Sequence, residues 1–171
     1  MAEKKTQYYM EVVEKLIPYA RNARTHSELQ IAQIAASIQE FGFLSPIIIA
    51  KDNTILCGHG RFYAAQKLGL KQVPCIKEEY LTEAQRRAYI LADNRIGLNA
   101  GWDNELLKVE IADLQGVDFN VELTGFNDKE IVELFSVDVE GRPAENKEYD
   151  EEEFGDEEFE HECPRCGFRF N

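Results

Sequence analysis

Apolar positions in this chain switch between two periods, and the switches mark its elements. Tyr8, Tyr9, Val12, Val13, Leu16 and Ile17 fall within residues 7–17 and predict a first strand. Pro18 to Arg24 reads as a polar loop. Thr25-x-x-Glu28 has the form of a capping box, in which a hydroxyl and a carboxylate satisfy free amides at a helix start. The helix it opens sets Ile31, Ile34, Ala35 and Ile38 on one face, and Gly42 stops it. Leu44 to Ala50 and Thr54 to Cys57 predict two strands around the polar turn Lys51-Asp52-Asn53. A helix follows from Arg61 to Leu68 and ends at Gly69, and Val73 to Lys77 is a further short strand.

The second half reads as helical. Thr82-x-x-Gln85 is another capping box, opening a helix through about Asp93. Asp103 caps a helix whose apolar positions are Leu106, Leu107, Val109, Ile111 and Leu114. Asn127 caps the last, with Glu130 closing the box and Ile131, Leu134 and Phe135 inside. Trp102 reads as a packing anchor for these helices. From about Val137 the pattern stops. Gly141-Arg142-Pro143 breaks structure, and Glu148 to Glu162 is mostly carboxylates. Self-repulsion and scarce apolar surface there predict a disordered linker, with mimicry of DNA as the functional alternative.

Charge sharpens this division. The formal net charge is −13, but residues 137–171 carry 13 acids against 4 Lys/Arg, leaving −4 on the rest. A nearly balanced body lacks the broad basic surface that drives autonomous duplex binding. A local basic pocket from Arg21, Arg24 and Arg61 remains compatible with the composition. The chain carries neither an apolar run long enough to cross a membrane nor an apolar leader near Met1. Four cysteines without a disulfide framework fit a reducing compartment. The expectation is a cytoplasmic protein, in the host cytoplasm if a phage encodes it.

The best-equipped segment chemically is Cys57-Gly58-His59-Gly60-Arg61, between a strand and a helix. A helix entered through glycines presents free amides and the positive end of its dipole, which favour an anion. Arg61 offers a fork suited to phosphate oxygens. His59 offers a donor, or a proton-transfer group with its usual titration near neutrality, and is the candidate catalytic residue. Helix capping and salt bridging are the plainer roles for both. Asn22 and Arg24 are candidates to line the same pocket, with local turn bonding the competing role for Asn22. Asp93 and Asn94 offer hard oxygen donors for Mg²⁺, or helix-end caps. Cys163-Pro164-Arg165-Cys166-Gly167 is one zinc knuckle. His161 or a second subunit would have to complete the metal site, and a shared Zn²⁺ would make a homodimer.

Taken in order, the polar Asn/Arg loop, the Gly-His-Gly-Arg turn and the run Ala92-Asp93-Asn94-Arg95 resemble the N-terminal domain of ParB-type partition proteins, within the ParB/sulfiredoxin superfamily. The resemblance covers roughly residues 8–98 and is closest to short phage and prophage domains found beside DNA methyltransferases. It implies an α+β fold with a small mixed sheet and surrounding helices over residues 1–98. A helical extension (99–136), an acidic linker (137–160) and a Cys-x-x-Cys tail (161–171) would follow. In partition proteins the turn reads glycine-glutamate-arginine-arginine-x-arginine-alanine and grips the triphosphate of CTP. Here Gly58, Arg61 and Ala64 match, whereas His59, Gly60 and Tyr63 replace the acid and two arginines.

The resemblance implies that Asn22, Arg24, Gly58, His59, Gly60 and Arg61 hold a nucleoside triphosphate, CTP or ATP, with Mg²⁺ on Asp93 and Asn94. NTP or phosphodiester hydrolysis is the enzymatic version. Its alternative is a non-enzymatic adaptor that recruits a DNA methyltransferase or another phage DNA-processing protein. The space left before the tail argues against a full helix-turn-helix reading domain, and so against ordinary partition. Sulfiredoxins carry their nucleophilic cysteine where His59 stands, which argues against sulfinic acid repair. A small-molecule kinase needs a carboxylate base that the first loop lacks, and stays a minor reading.

Overall fold

The computed structural model describes residues 8–136 together with 161–162 and 169–170, and divides into two units at residue 136. In the first unit, four strands form one mixed sheet in the order β1-β4-β2-β3. These are β1 (Tyr8–Val12), β2 (Ile47–Ile49), β3 (Ile55–Cys57) and β4 (Gln72–Lys77). β1 runs antiparallel to β4, β2 parallel to β4, and β3 antiparallel to β2. Five helices accompany them: α1 (Glu28–Phe41), α2 (His59–Lys67), α3 (Glu83–Ile96), α4 (Asn104–Gly116) and α5 (Asp128–Ser136). This is the α+β class, with a small mixed sheet.

β2 is three consecutive isoleucines, a β-branched run suited to a strand covered on both faces. Ile47 and Ile49 are fully buried against Ile55, Phe62, Val73 and Cys75. Each such side chain contributes about 2 kcal/mol by leaving water. Pro74 is tolerated in the inner strand β4 because β2 pairs only with Cys75–Lys77, so at Pro74 the strand has a single neighbour. α2 lies close on the sheet through Ala64 and Ala65, both fully buried. α3 is fastened by Ile90, packed on Ala50 and Leu56, and by the buried carboxylate of Glu78. That carboxylate pairs with Arg86 at 2.9 Å and accepts the amides of Tyr80 and Leu81. Burial alone would raise its pKa; these bonds and the Arg86 charge outweigh burial and hold it low.

Several element ends differ from their sequence reading. The first strand stops at Val12, where a 3₁₀ turn (Val13–Lys15) drops Val13 and Leu16 into the core. Ser27, two residues past the expected Thr25, caps α1 by accepting the Gln30 amide. α3 runs on through Asp93 to Ile96. The capping boxes at Thr82/Gln85 and Asn127/Glu130 and the Asp103 cap form as expected. Trp102 is 70% exposed and meets Phe126 edge-on, so it does not anchor a core.

In the second unit, β5 (His161–Glu162) pairs antiparallel with β6 (Arg169–Phe170). The acidic stretch 137–160 and the pair Cys163/Cys166 lie outside the described residues.

Candidate functional site: an anion-ready cavity at the start of α2

The turn from β3 into α2 requires glycine twice, for different reasons. Gly58 is the N-cap, with φ 97° and ψ 29° in the left-handed region, and a Cβ there would lie 2.9 Å from Arg61 Nη2. Gly60 has ordinary helical geometry, but its Cβ would lie 2.8 Å from Ile34 Cδ1 and 3.1 Å from His26 Cε1. No side chain caps the helix. Its first amides therefore stay available to a ligand, at the positive end of the helix dipole.

This turn borders a cavity of about 840 Å³. Arg24, His26, Gly58, His59, Gly60, Arg61, Asp93 and Asn94 all contribute to its wall, with Cys57 beside them. The wall also has apolar members: Ile34, Ile38 and Phe41 from α1, then Leu98 and Leu123. Residues from four separate stretches of sequence thus converge on one space.

Within it the candidates hold different posts. Arg61 lies back along the turn, its Nη2 donating to the Pro46 carbonyl at 3.1 Å and to Cys57 Sγ at 3.5 Å. Its Nε is buried with no partner, an orphaned donor beside the cavity. Arg24 donates to the Asn94 carbonyl at 3.1 Å, tying the first loop to α3. Asn22 is not part of the wall. Its side chain closes a local turn on the Arg24 amide and carbonyl, each at 3.2 Å. Arg21 is exposed and also outside the wall, which removes it from the expected basic pocket.

His59 departs most from its expectation. It is 5% exposed, and its Nε2 accepts the Tyr19 amide at 3.1 Å. Burial, and to a lesser extent repulsion from His26, pushes its pKa down to about 4. Titration near neutrality is therefore corrected: His59 is a neutral acceptor that clasps the first loop to α2.

Asp93 accepts the Cys57 thiol at 2.9 Å. Burial first, then the Asp93 hydrogen bond and charge, push the Cys57 thiol up to about 11, so it stays protonated and is not an activated nucleophile. Tyr89, raised to about 12 mainly by burial and then by the Asp93 charge, completes this cluster. Asn94 spends its amide on the Ile90 carbonyl at 2.7 Å within its own helix. Among the described residues no group of three His, Cys, Asp or Glu could hold a metal ion. A Mg²⁺ here would need phosphate oxygens and water for most of its shell. Asp93 is the one carboxylate in the cavity wall.

His26 ends the first-loop run that carries the family resemblance, but the sequence reading gave it no role at the site. It reaches the wall only because Gly60, 34 positions later, leaves it room. That is a through-space pairing with no local signature.

The family model for the ParB N-terminal domain matches residues 3–94, more than half the chain. The chain belongs to the ParB N-terminal domain family. A second model, the ParB-methyltransferase HTH domain, matches residues 105–166 of this ParB-like chain. It falls where the sequence reading left no room for a reading domain, and it revises that expectation. The ParB-like nuclease domain-containing protein YnaK of Escherichia coli K12 is 44% identical over 75 residues, 44% of this chain and 86% of YnaK. The C-terminally truncated partition protein ParB of Caulobacter crescentus, solved with CTP-γ-S, shares the fold. Its TM-score is 0.56 at 22% identity, over 75% of this chain and 70% of that one. Sulfiredoxin from Arabidopsis thaliana is 23% identical over 49% of this chain and 97% of its own, but its TM-score of 0.42 adds nothing to the fold assignment.

Among the described residues no helix is long and apolar enough to cross a membrane.

Proposed function

We propose that this ParB-like domain binds a nucleoside triphosphate with Mg²⁺ in its cavity, in the service of a cytoplasmic DNA-processing system that includes a DNA methyltransferase. The observation that carries the reading is the convergence of an uncapped helix start, Arg24 and Arg61 with its orphaned Nε on one cavity. Such a set of donors is matched to phosphate oxygens. The Caulobacter relative holds CTP-γ-S, which makes CTP the first ligand to try and ATP the second. Asp93 would hold Mg²⁺, supplying charge neutralisation for the phosphates. Arg61 would turn its Nε toward them, and His59 would keep the first loop seated.

Binding is favoured over hydrolysis, the nuclease in the YnaK name notwithstanding. A hydrolase needs a group to activate water. His59 is committed to Tyr19, and Asp93, the one carboxylate in the wall, is given to Mg²⁺ in this reading.

Calorimetric titration with CTP and ATP, with and without Mg²⁺, tests the reading. Saturable Mg²⁺-dependent binding should weaken about tenfold or more in Arg61→Ala, as loss of a charge-assisted hydrogen bond implies. No binding of either nucleotide would overturn it.

A non-enzymatic adaptor is the second reading, favoured by the ParB-methyltransferase HTH match. It is distinguished by methyltransferase binding that survives Arg61→Ala. The Cys163/Cys166 pair as a Zn²⁺ knuckle, completed by a partner or a second copy, belongs to this reading, and Cys163→Ser should abolish that binding.

A further inference from the structure

We propose that His26 is a proton-linked ligand of the anion in this cavity: phosphate binding there is coupled to uptake of one proton by the His26 ring. The inference rests on the nucleotide reading and adds to it a residue and a linkage.

The ring is held in place on several sides. It lies against the first turn of α2, where a Cβ on Gly60 would come within 3.1 Å of Cε1 and 3.2 Å of Nδ1. Tyr63 meets it edge-on, with centroids 6.2 Å apart. From α1, the Gln30 carbonyl oxygen Oε1 sits 2.8 Å from Nδ1. That contact decides the tautomer. Oε1 can only accept, so Nδ1 carries the hydrogen, and in the neutral ring Nε2 is left with a lone pair. A lone pair repels phosphate oxygens. Only the imidazolium can offer them an Nε2–H donor and a positive charge.

The surroundings set the sign of the linkage. Arg24 on the same loop and Arg61 on α2 border the cavity with His26, and both resist a further positive charge. From α2, Tyr63 meets the ring edge-on, and His59 is a further titratable neighbour kept neutral chiefly by burial. From α1, Gln30 and Ile34 bring no charge. From α3, Asp93 brings the wall's one carboxylate, already accepting the Cys57 thiol. A bound polyphosphate adds negative charge beside the His26 ring and so favours its protonated form. By linkage, whatever favours the proton when the anion is bound must favour the anion when the proton is bound. The two cavity histidines divide the work: one is an acceptor fixed by burial, the other a donor made on demand.

The test is calorimetry of the full chain with Mg²⁺-CTP and with inorganic tripolyphosphate, in buffers of differing ionisation enthalpy, from about pH 6 to about pH 8. Wild-type protein should take up a proton with both ligands, and lose affinity by up to about tenfold per pH unit. His26→Gln should bind with a flat profile and take up about one proton fewer. Gln30→Leu frees the neutral ring to place its hydrogen on Nε2, so it should keep binding while losing much of the pH dependence. A merely structural His26 would not produce that result. Equal proton uptake in wild type and His26→Gln, uptake with CTP alone, or an unchanged profile in Gln30→Leu each overturns this proposal and leaves the nucleotide reading standing. Absence of binding by wild-type protein at every pH overturns both.

Discussion

Around β2 and β4, Ile47, Ile49, Ile55, Val73 and Cys75 are fully shut off from water, whereas along α4 and α5 the single buried side chain is Ile111. Leu106, Val109, Val132 and Phe135 on those two helices are exposed. The sheet and α2 form a core that closes on itself. The C-terminal helices close over little: Ile111 is buried, Leu107, Leu114, Ile131 and Leu134 are half-buried, and the other four face outward. Regions so differently buried do not share stability evenly, and the helices should open at lower free-energy cost than the sheet.

The sharpest way to break this comparison is at Phe62, 3% exposed on α2 within the sheet's core. Phe62→Ala should cost about 4 kcal/mol and lower the midpoint of cooperative denaturant unfolding for the sheet. Next is Glu78. Glu78→Gln should cost about 3 kcal/mol in the same experiment, because Arg86 loses its partner. Its carboxyl is held below its unfolded value, so its contribution is complete above the ordinary carboxylate range and is lost as pH falls through the folded pKa. The acid limb of a stability profile should therefore flatten in Glu78→Gln. Third, Ile111→Ala should cost about 2 kcal/mol, at the low end for such a truncation, since the exposed side chains around it on α4 and α5 are free to shift into the space. Hydrogen exchange should then quicken in α4 and α5 and leave β2 and β4 protected; equal loss in both would erase the distinction. Smallest is Ser27→Ala, about 1 kcal/mol from the lost α1 cap, read as a shift in melting temperature.

Legibility in the sequence follows the same divide. Elements set by local chemistry were readable: the glycine stops at Gly42 and Gly69, both at positive φ, the Asp103 cap, and the box at Thr82 and Gln85. The cap of α1 was misplaced because Thr25 and Ser27 both suit the role, and only the chain's path decides between them. At the site, Arg24, Gly58, His59, Gly60, Arg61, Asp93 and Asn94 border one cavity. Asn22 satisfies its own turn instead, the competing role the sequence had left open. The protonation state of His59 was not readable, because burial and an acceptor role toward Tyr19, 40 residues away, are tertiary facts. The place of His26 was hidden for the same reason.

The cavity wall also bears on where this protein can be cut. Arg24, Arg61 and Asp93 belong to the stretch matched by the ParB N-terminal model, whereas Leu123, Thr124 and Gly125 belong to the stretch matched by the methyltransferase-type model. Gly97 and Leu98 stand between the two. A fragment ending at residue 94 would keep Arg24, Arg61 and Asp93 and lose Leu98 and Leu123 from the wall. The boundary between the two family matches is thus not a boundary of the cavity, and a truncated domain would have an open trough in its place.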